Sequence, residues 1–335
     1  MRLSILDQSP IAEGTNAASA LSNSIDLARA GERLGYHRYW AAEHHASPAL
    51  AGAAPEVLLA AIGAATRSIR LGSGGIMLPH YSPLKVAETF STLSGLYPGR
   101  IDLGLGRAPG SDQRTAFALQ RDRRTQSPND FPNQLAELLG YLEDDLPAGH
   151  AFADLARTLP GLPETPEVWL LGSSPDSAAW AAETGLPYCF ADFINSDGAE
   201  IAAQYQRAFR PGVRAAKSYT MAALWIVCAE TDAEAERLAL SSRMMLAHLL
   251  TGVLIPVPSP EKAAAWLAAN PNAAQRRGRR MITGSPATVR AGIEAAVAEY
   301  SADEAMLVNI VHDHAARVRS YELVAEAFAD RRLAA

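Results

Sequence analysis

Short apolar or β-branched runs alternate with helical stretches along the whole chain. This alternation constrains the fold more than any other feature. Eight runs read as strands: residues 3–7, a stretch ending in Tyr39-Trp40-Ala41-Ala42-Glu43, 70–73 resuming at 76–78, 101–106, 168–171, 188–191, 222–228 and 305–310. Helical periodicity fills the gaps. Leu21, Ile25 and Ala28 share one face, as do Val86, Phe90, Leu93 and Tyr97, before Pro98-Gly99 ends that helix. Val289, Ile293, Val297 and Tyr300 mark a late helix. Its start, Gly284-Ser285-Pro286, offers an N-cap serine and a proline at the first helical position. Strands that alternate with helices imply βαβ units and a parallel sheet. Eight such units form an α/β (β/α)8 TIM barrel, which needs about 250 residues. The chain has 335, so one barrel domain spanning 1–335 is expected, with insertions after strands 4 and 7.

The first insertion is placed at 111–165, with a helix near 134–146. The second, 231–283, begins as a helix over 232–250. It then passes through Pro256-Val257-Pro258-Ser259-Pro260 and the basic run Gln275-Arg276-Arg277-Gly278-Arg279-Arg280. An insertion on the C-terminal side of a barrel strand is where a lid over an active site would sit. A surface excursion or a subunit contact reads the same way. The arginine run suits either a solvated face or an anionic ligand.

Composition narrows the function classes. The formal net charge is -6, without the basic stripe of a nucleic-acid binder. No apolar run reaches the length of a membrane span, and the start of the chain does not resemble a signal peptide. Cys189 and Cys228 both lie in apolar runs and read as buried thiols. A cytoplasmic enzyme is expected.

In a parallel barrel, functional groups cluster at the C-terminal ends of the strands. Glu43-His44-His45 follows strand two. Side chains alternate along an extended chain, so at most one histidine is expected to face the mouth. Proton transfer, a buried structural histidine and a metal ligand are all open to it. Metal fits least, because tight sites favour other spacings, and no metal site is expected. Glu43 could orient either ring. Gly72-Ser73-Gly74-Gly75 interrupts strand three. Glycines there fit either a flat ligand lying against bare backbone or close packing of the adjacent strand. Gly104-Leu105-Gly106-Arg107-Ala108-Pro109 follows, with Pro109 where a dinucleotide fingerprint would need glycine. Arg107 suits a phosphate clamp or a salt bridge to a nearby carboxylate. Ser173 and Ser174 open the next helix, where they suit either an anion or simple capping. A phosphate site after strands four and five, beside glycine-rich backbone and a histidine, points to a flat phosphate-bearing cofactor such as flavin mononucleotide (FMN).

These residues resemble the luciferase-like flavin monooxygenase family, which contains the bacterial luciferase α subunit. The resemblance spans nearly the whole chain. It is carried by Arg38-Tyr39-Trp40-Ala41-Ala42-Glu43-His44-His45, by Arg70-Leu71-Gly72-Ser73-Gly74-Gly75-Ile76-Met77-Leu78-Pro79, by Tyr97-Pro98-Gly99-Arg100-Ile101-Asp102-Leu103-Gly104-Leu105-Gly106-Arg107 and by Trp169-Leu170-Leu171-Gly172-Ser173-Ser174. It is nearest to an uncharacterised bacterial subgroup that keeps the stretch seen here as 106–114. The resemblance implies reduced FMN (FMNH2) bound at the C-terminal face, or F420 in some branches. It implies a non-prolyl cis peptide at Gly74–Gly75 under the flavin ring, Arg107 with Ser173 and Ser174 on the phosphate, and His44, with His45 beside it, in catalysis. Serine at 173 departs from the luciferase pattern, which has glutamate there. The implied reaction takes FMNH2 from a separate NAD(P)H:flavin reductase and uses O2 to oxygenate a small organic substrate through a flavin hydroperoxide. A homodimer is also implied. The alternatives are an F420-dependent oxidoreductase, supported only by the basic run, and a flavin-binding protein without turnover. A metal-dependent hydrolase would want His-x-His after strand one, where Asp7-Gln8-Ser9-Pro10 stands.

Overall fold

The computed structural model describes residues 1–107, 113–119, 130–274 and 279–329. Residues 108–112 of the glycine-rich turn and 275–278 of the basic run lie outside them. Among the described residues nine strands form: β1 (Arg2–Asp7), β2 (Arg38–Ala41), β3 (Arg70–Met77), β4 (Ile101–Gly106), β5 (Glu167–Gly172), β6 (Tyr188–Phe190), β7 (Thr220–Cys228), β8 (Ile282–Gly284) and β9 (Glu304–Val308). All pair in parallel. β1 to β7 follow one another, and β9 closes the ring by pairing with both β7 and β1 through Met306. The eight-stranded barrel is therefore present. The ninth strand, β8, was not expected. It pairs with the C-terminal end of β7, Ile226 against Ile282, and takes no part in closure. Three residues are too few for an alternation pattern to register.

Helices α1 (Ala17–Arg33), α2 (Pro55–Ala65), α3 (Pro83–Leu96), α5 (Phe131–Glu143), α6 (Pro175–Thr184), α7 (Ala199–Ala208), α10 (Pro286–Glu299) and α11 (His314–Ala329) follow the eight ring strands. The first insertion is thus shorter than 111–165, because α5 belongs to the ring, while the second covers 231–283. They hold α4 (Gln113–Leu119) in the first, and α8 (Asp232–Leu249), α9 (Pro260–Ala269) and β8 in the second. α5 starts earlier than expected because Pro132 fits its first turn, and it buries Phe131, Leu135, Leu138 and Leu142. Ser285 sits at the N-cap of α10 as expected. Its hydroxyl lies 3.2 Å from Thr288 Oγ1 and caps no backbone N–H.

Strand alternation divides the apolar side chains into two layers. In β7, Ala222, Leu224, Ile226 and Cys228 pack outward with the helices, while Met221, Ala223, Trp225 and Val227 fill the lumen. In β2, Tyr39 and Ala41 face outward and Trp40 inward. The base of the lumen is a buried charge network. Asp102 accepts hydrogen bonds from Arg38 Nη1, Trp40 Nε1 and Arg70 Nε, each at 2.9 Å. Arg38 also lies 3.3 Å from Glu304 and stacks over Trp169. Both cysteines are buried and unbridged, and burial pushes the Cys228 thiol up to about 12.

A second buried ion pair ties α11 to β1. Asp7 pairs with Arg317 and accepts from Tyr39 Oη and from Ser9 N–H. Burial alone would raise the Asp7 carboxyl. The Arg317 charge and hydroxyl hydrogen bonds from Ser24 and Tyr39 overcome that and hold it below its ordinary 3.8. A folded value below the unfolded one means the carboxylate stabilises fully above the unfolded value. That contribution is lost as pH falls through the folded value. Unfolding stability is therefore expected to fall steeply below about pH 4. The Asp7→Asn variant, less stable at neutral pH, should fall less. Parallel acid-dependence of the two proteins in equilibrium unfolding would refute this.

Candidate active site

A cavity of about 510 Å³ opens at the C-terminal ends of the strands. Gln8 reaches it after β1, His44 and His45 after β2, Phe193 and Ile194 after β6, and Val308 and Ile310 from β9 and beyond. Trp225 enters from the lumen side of β7. The second insertion supplies the remaining wall, with Met245, Leu246 and Leu249 of α8, Leu254, Ile255 and Arg279. That wall is pinned to the barrel. Val257 N–H donates to Ile11 O and Glu13 N–H to Val257 O, both at 2.8 Å, and Lys262 pairs with Glu13.

Both histidines line the cavity, which corrects the expectation that at most one would. β2 ends at Ala41, and Ala46 adopts φ +49°, so the chain is no longer extended and strict alternation lapses. Glu43 is fully buried. It accepts from Met77 N–H at 3.0 Å and Tyr81 Oη at 2.9 Å, and its Oε1 lies 2.7 Å from His45 Nε2. The ring that Glu43 orients is therefore that of His45. His44 has a buried Nδ1 with no partner. Burial, then the neighbouring His45, lower its pKa to about 4, so its imidazole is neutral at pH 7.

The peptide between Gly74 and Gly75 is cis, where the resemblance places it. The β3–β4 register shifts there, between Gly74 and Ile76. A Cβ on Gly74 would come within 2.4 Å of Leu6 Cδ1, and one on Gly75 within 2.7 Å of the Gly104 carbonyl oxygen. Backbone packing of the barrel thus demands glycine at 75, whatever lies over it, while at 74 the Leu6 side chain would have to give way.

Arg107 and the start of α6 come together. Arg107 Nη1 donates to Asp176 Oδ2 at 2.9 Å, and its guanidinium lies over the Trp180 ring. Both are α6 residues. The salt-bridge reading is realised, and it places the guanidinium at the helix start. Ser174 is the N-cap of α6 and its hydroxyl accepts from Ser177 N–H at 3.4 Å. Ser173 is half-buried beside it.

Some site residues escaped sequence reading. Trp225 carried a signal in the alternation of β7, and Leu246 and Leu249 in the helical spacing of α8. Arg279 stood in the basic run without distinction from its neighbours. Arg280 is engaged elsewhere: it donates to Asp192 at 2.6 Å and to Glu299 at 2.6 Å.

Residues 1–304 match the luciferase-like monooxygenase family. This chain belongs to that family. It is 43% identical to a luciferase-like monooxygenase of Escherichia coli (strain K12), covering 96% of this chain and 95% of the relative. It is 44% identical to the N-acetyl-S-alkylcysteine monooxygenase of Bacillus subtilis (strain 168), covering 80% and 79%. Among solved structures, apo-MsnO8 superposes with a TM-score of 0.88 at 40% identity, covering 98% of this chain and 97% of the other. Two more distant structures share the fold alone. One is the oxygenating constituent of 3,6-diketocamphane monooxygenase from Pseudomonas putida, in complex with FMN (TM-score 0.72, 20% identity, 97% of each chain). The other is an F420-dependent secondary alcohol dehydrogenase (TM-score 0.64, 16% identity, 97% and 98%). The barrel is thus that of a monooxygenase-family enzyme. Among the described residues no helix is long and apolar enough to cross a membrane.

Proposed function

We propose that this enzyme binds FMNH2, delivered by a separate reductase, and uses O2 to oxygenate a small organic substrate in the cavity beside His44. The single observation that carries the reading is the arrangement at the mouth. An arginine at a helix start lies on one side, and an apolar cavity with a partnerless histidine lies on the other. The donor set fits FMN. Arg107 presents a planar fork of N–H donors, of which Asp176 engages one nitrogen. Ser173, Ser174 and the first N–H groups of α6 add further donors for a phosphate. His44 and Trp225 line the cavity, and among the described residues His44 Nδ1 and Trp225 Nε1 are buried without partners.

When bound, the reduced flavin supplies the electrons that activate O2 for insertion of one oxygen atom. This chain's residues bind, orient and exclude water. Leu246, Leu249 and Ile310 keep the cavity apolar. Neutral His44 can exchange a hydrogen bond or a proton at Nδ1 with the reacting oxygen. The Glu43–His45 pair fixes the second ring beside it. Arg280, one residue of the basic run that supported F420, is held by Asp192 and Glu299.

Anaerobic titration with FMNH2 tests the proposal. Saturable binding is expected, and Arg107→Ala should weaken it roughly 10–100-fold. Failure to bind FMNH2 would overturn the reading. An unchanged affinity in Arg107→Ala would remove the phosphate role from that residue.

A further inference from the structure

Among the described residues lining the cavity there is no aspartate or glutamate. Arg279 is half-buried at the wall, and among the described residues its guanidinium has no hydrogen bond or ion pair. Its neighbour Arg280 has two acidic partners, so the difference is not one of local composition. The Trp225 side chain lines the same wall. Gln8 is 5% exposed, lines the same space and makes no side-chain hydrogen bond among the described residues. A guanidinium partly withdrawn from water without a counter-charge gains from a ligand that supplies one. Leu246, Leu249, Leu254 and Ile310 line the same cavity and suit an alkyl chain.

We propose that the substrate taken by this cavity is an amphiphilic carboxylate, its head bound by the Arg279 guanidinium and its alkyl body packed against α8 and the end of β9. A carboxylate matches the planar fork of arginine, and the amide N–H groups of Gln8 can donate to it as well. Arg279 is a specificity residue in this account, and His44 retains the chemistry. The inference rests on reading this cavity as the substrate side of the monooxygenase site.

The test uses the full chain without flavin. Tryptophan fluorescence, with Trp225 in the wall as reporter, follows titration with octanoate and with octanamide, its neutral counterpart. The wild type should bind octanoate at least about tenfold more tightly than octanamide. Arg279→Gln should abolish that preference while octanamide affinity stays within about twofold, which also shows that the variant is folded. Arg279→Lys should retain part of the preference. Equal affinity for the two probes in the wild type would overturn the inference. So would a preference that survives Arg279→Gln, or no octanoate binding up to on the order of 10 mM. Loss of FMNH2 affinity in Arg279→Gln with octanoate binding intact would give the residue to the cofactor and also overturn it. No octanoate titration contains flavin, so its failure leaves the monooxygenase reading to the separate FMNH2 titration.

Discussion

His44→Ala is expected to lower oxygen-dependent turnover by about 10²- to 10⁴-fold, with a much smaller effect on FMNH2 affinity. The expectation follows from the geometry of the ring. It lines the cavity, and among the described residues its Nδ1 is buried without a partner, whereas the other lining histidine, His45, is held by the Glu43 carboxylate. Its titration gives the result a second signature. Burial and the neighbouring His45 lower the pKa to about 4 from 6.5. In the proposed role the neutral form is the active one, and it is lost only when acid protonates it. Turnover should therefore stay level from neutral pH down to about pH 5 and fall towards 4. Steady-state rates of wild type and variant across that range provide the check. A variant that turns over like the wild type would mark the protein as a flavin binder in which His44 is structural. An acid limb near 6.5 would mean that a different group controls the rate.

The largest effect on stability is expected at the base of the lumen. Asp102→Ala should cost about 3–5 kcal/mol of a total near about 5–15 kcal/mol. Asp102 is fully buried and is the common acceptor for Arg38, Arg70 and Trp40. Its loss leaves the buried Arg38 guanidinium with Glu304 at 3.3 Å and Glu167 at 3.5 Å, and leaves the Trp40 indole N–H unmet. Glu167 is 43% exposed and replaces little of the lost interaction. Urea denaturation at neutral pH measures the difference. A loss under about 1 kcal/mol would show that Glu304 alone carries the Arg38 charge. The site lies at the opposite end of the barrel from His44, so the two variants separate folding from chemistry.

The local patterns in this chain were largely readable. The two faces of β7 follow from side-chain alternation alone: Met221, Ala223, Trp225 and Val227 against Ala222, Leu224, Ile226 and Cys228. The helix starts at Asn16, Ser174 and Thr231 follow from hydroxyl and amide caps, each of which accepts an N–H three residues on. β8 escaped because three residues carry no period, and its pairing with β7 is a long-range contact. The joint approach of His44 and His45 escaped because it depends on how the chain turns after Ala41.

The sequence by itself determined the order of strands and helices, the face each side chain takes within them, and the strand ends at which polar groups gather. Those properties arise within a few residues of backbone, where sterics and periodicity act. Only the tertiary structure decided which charges are satisfied. Arg279 and Arg280 are chemically identical neighbours. One meets carboxylates 88 and 19 residues away in the chain, and the other faces an apolar cavity without one. Electrostatic pairing depends on distance in space, and closing the barrel sets that distance.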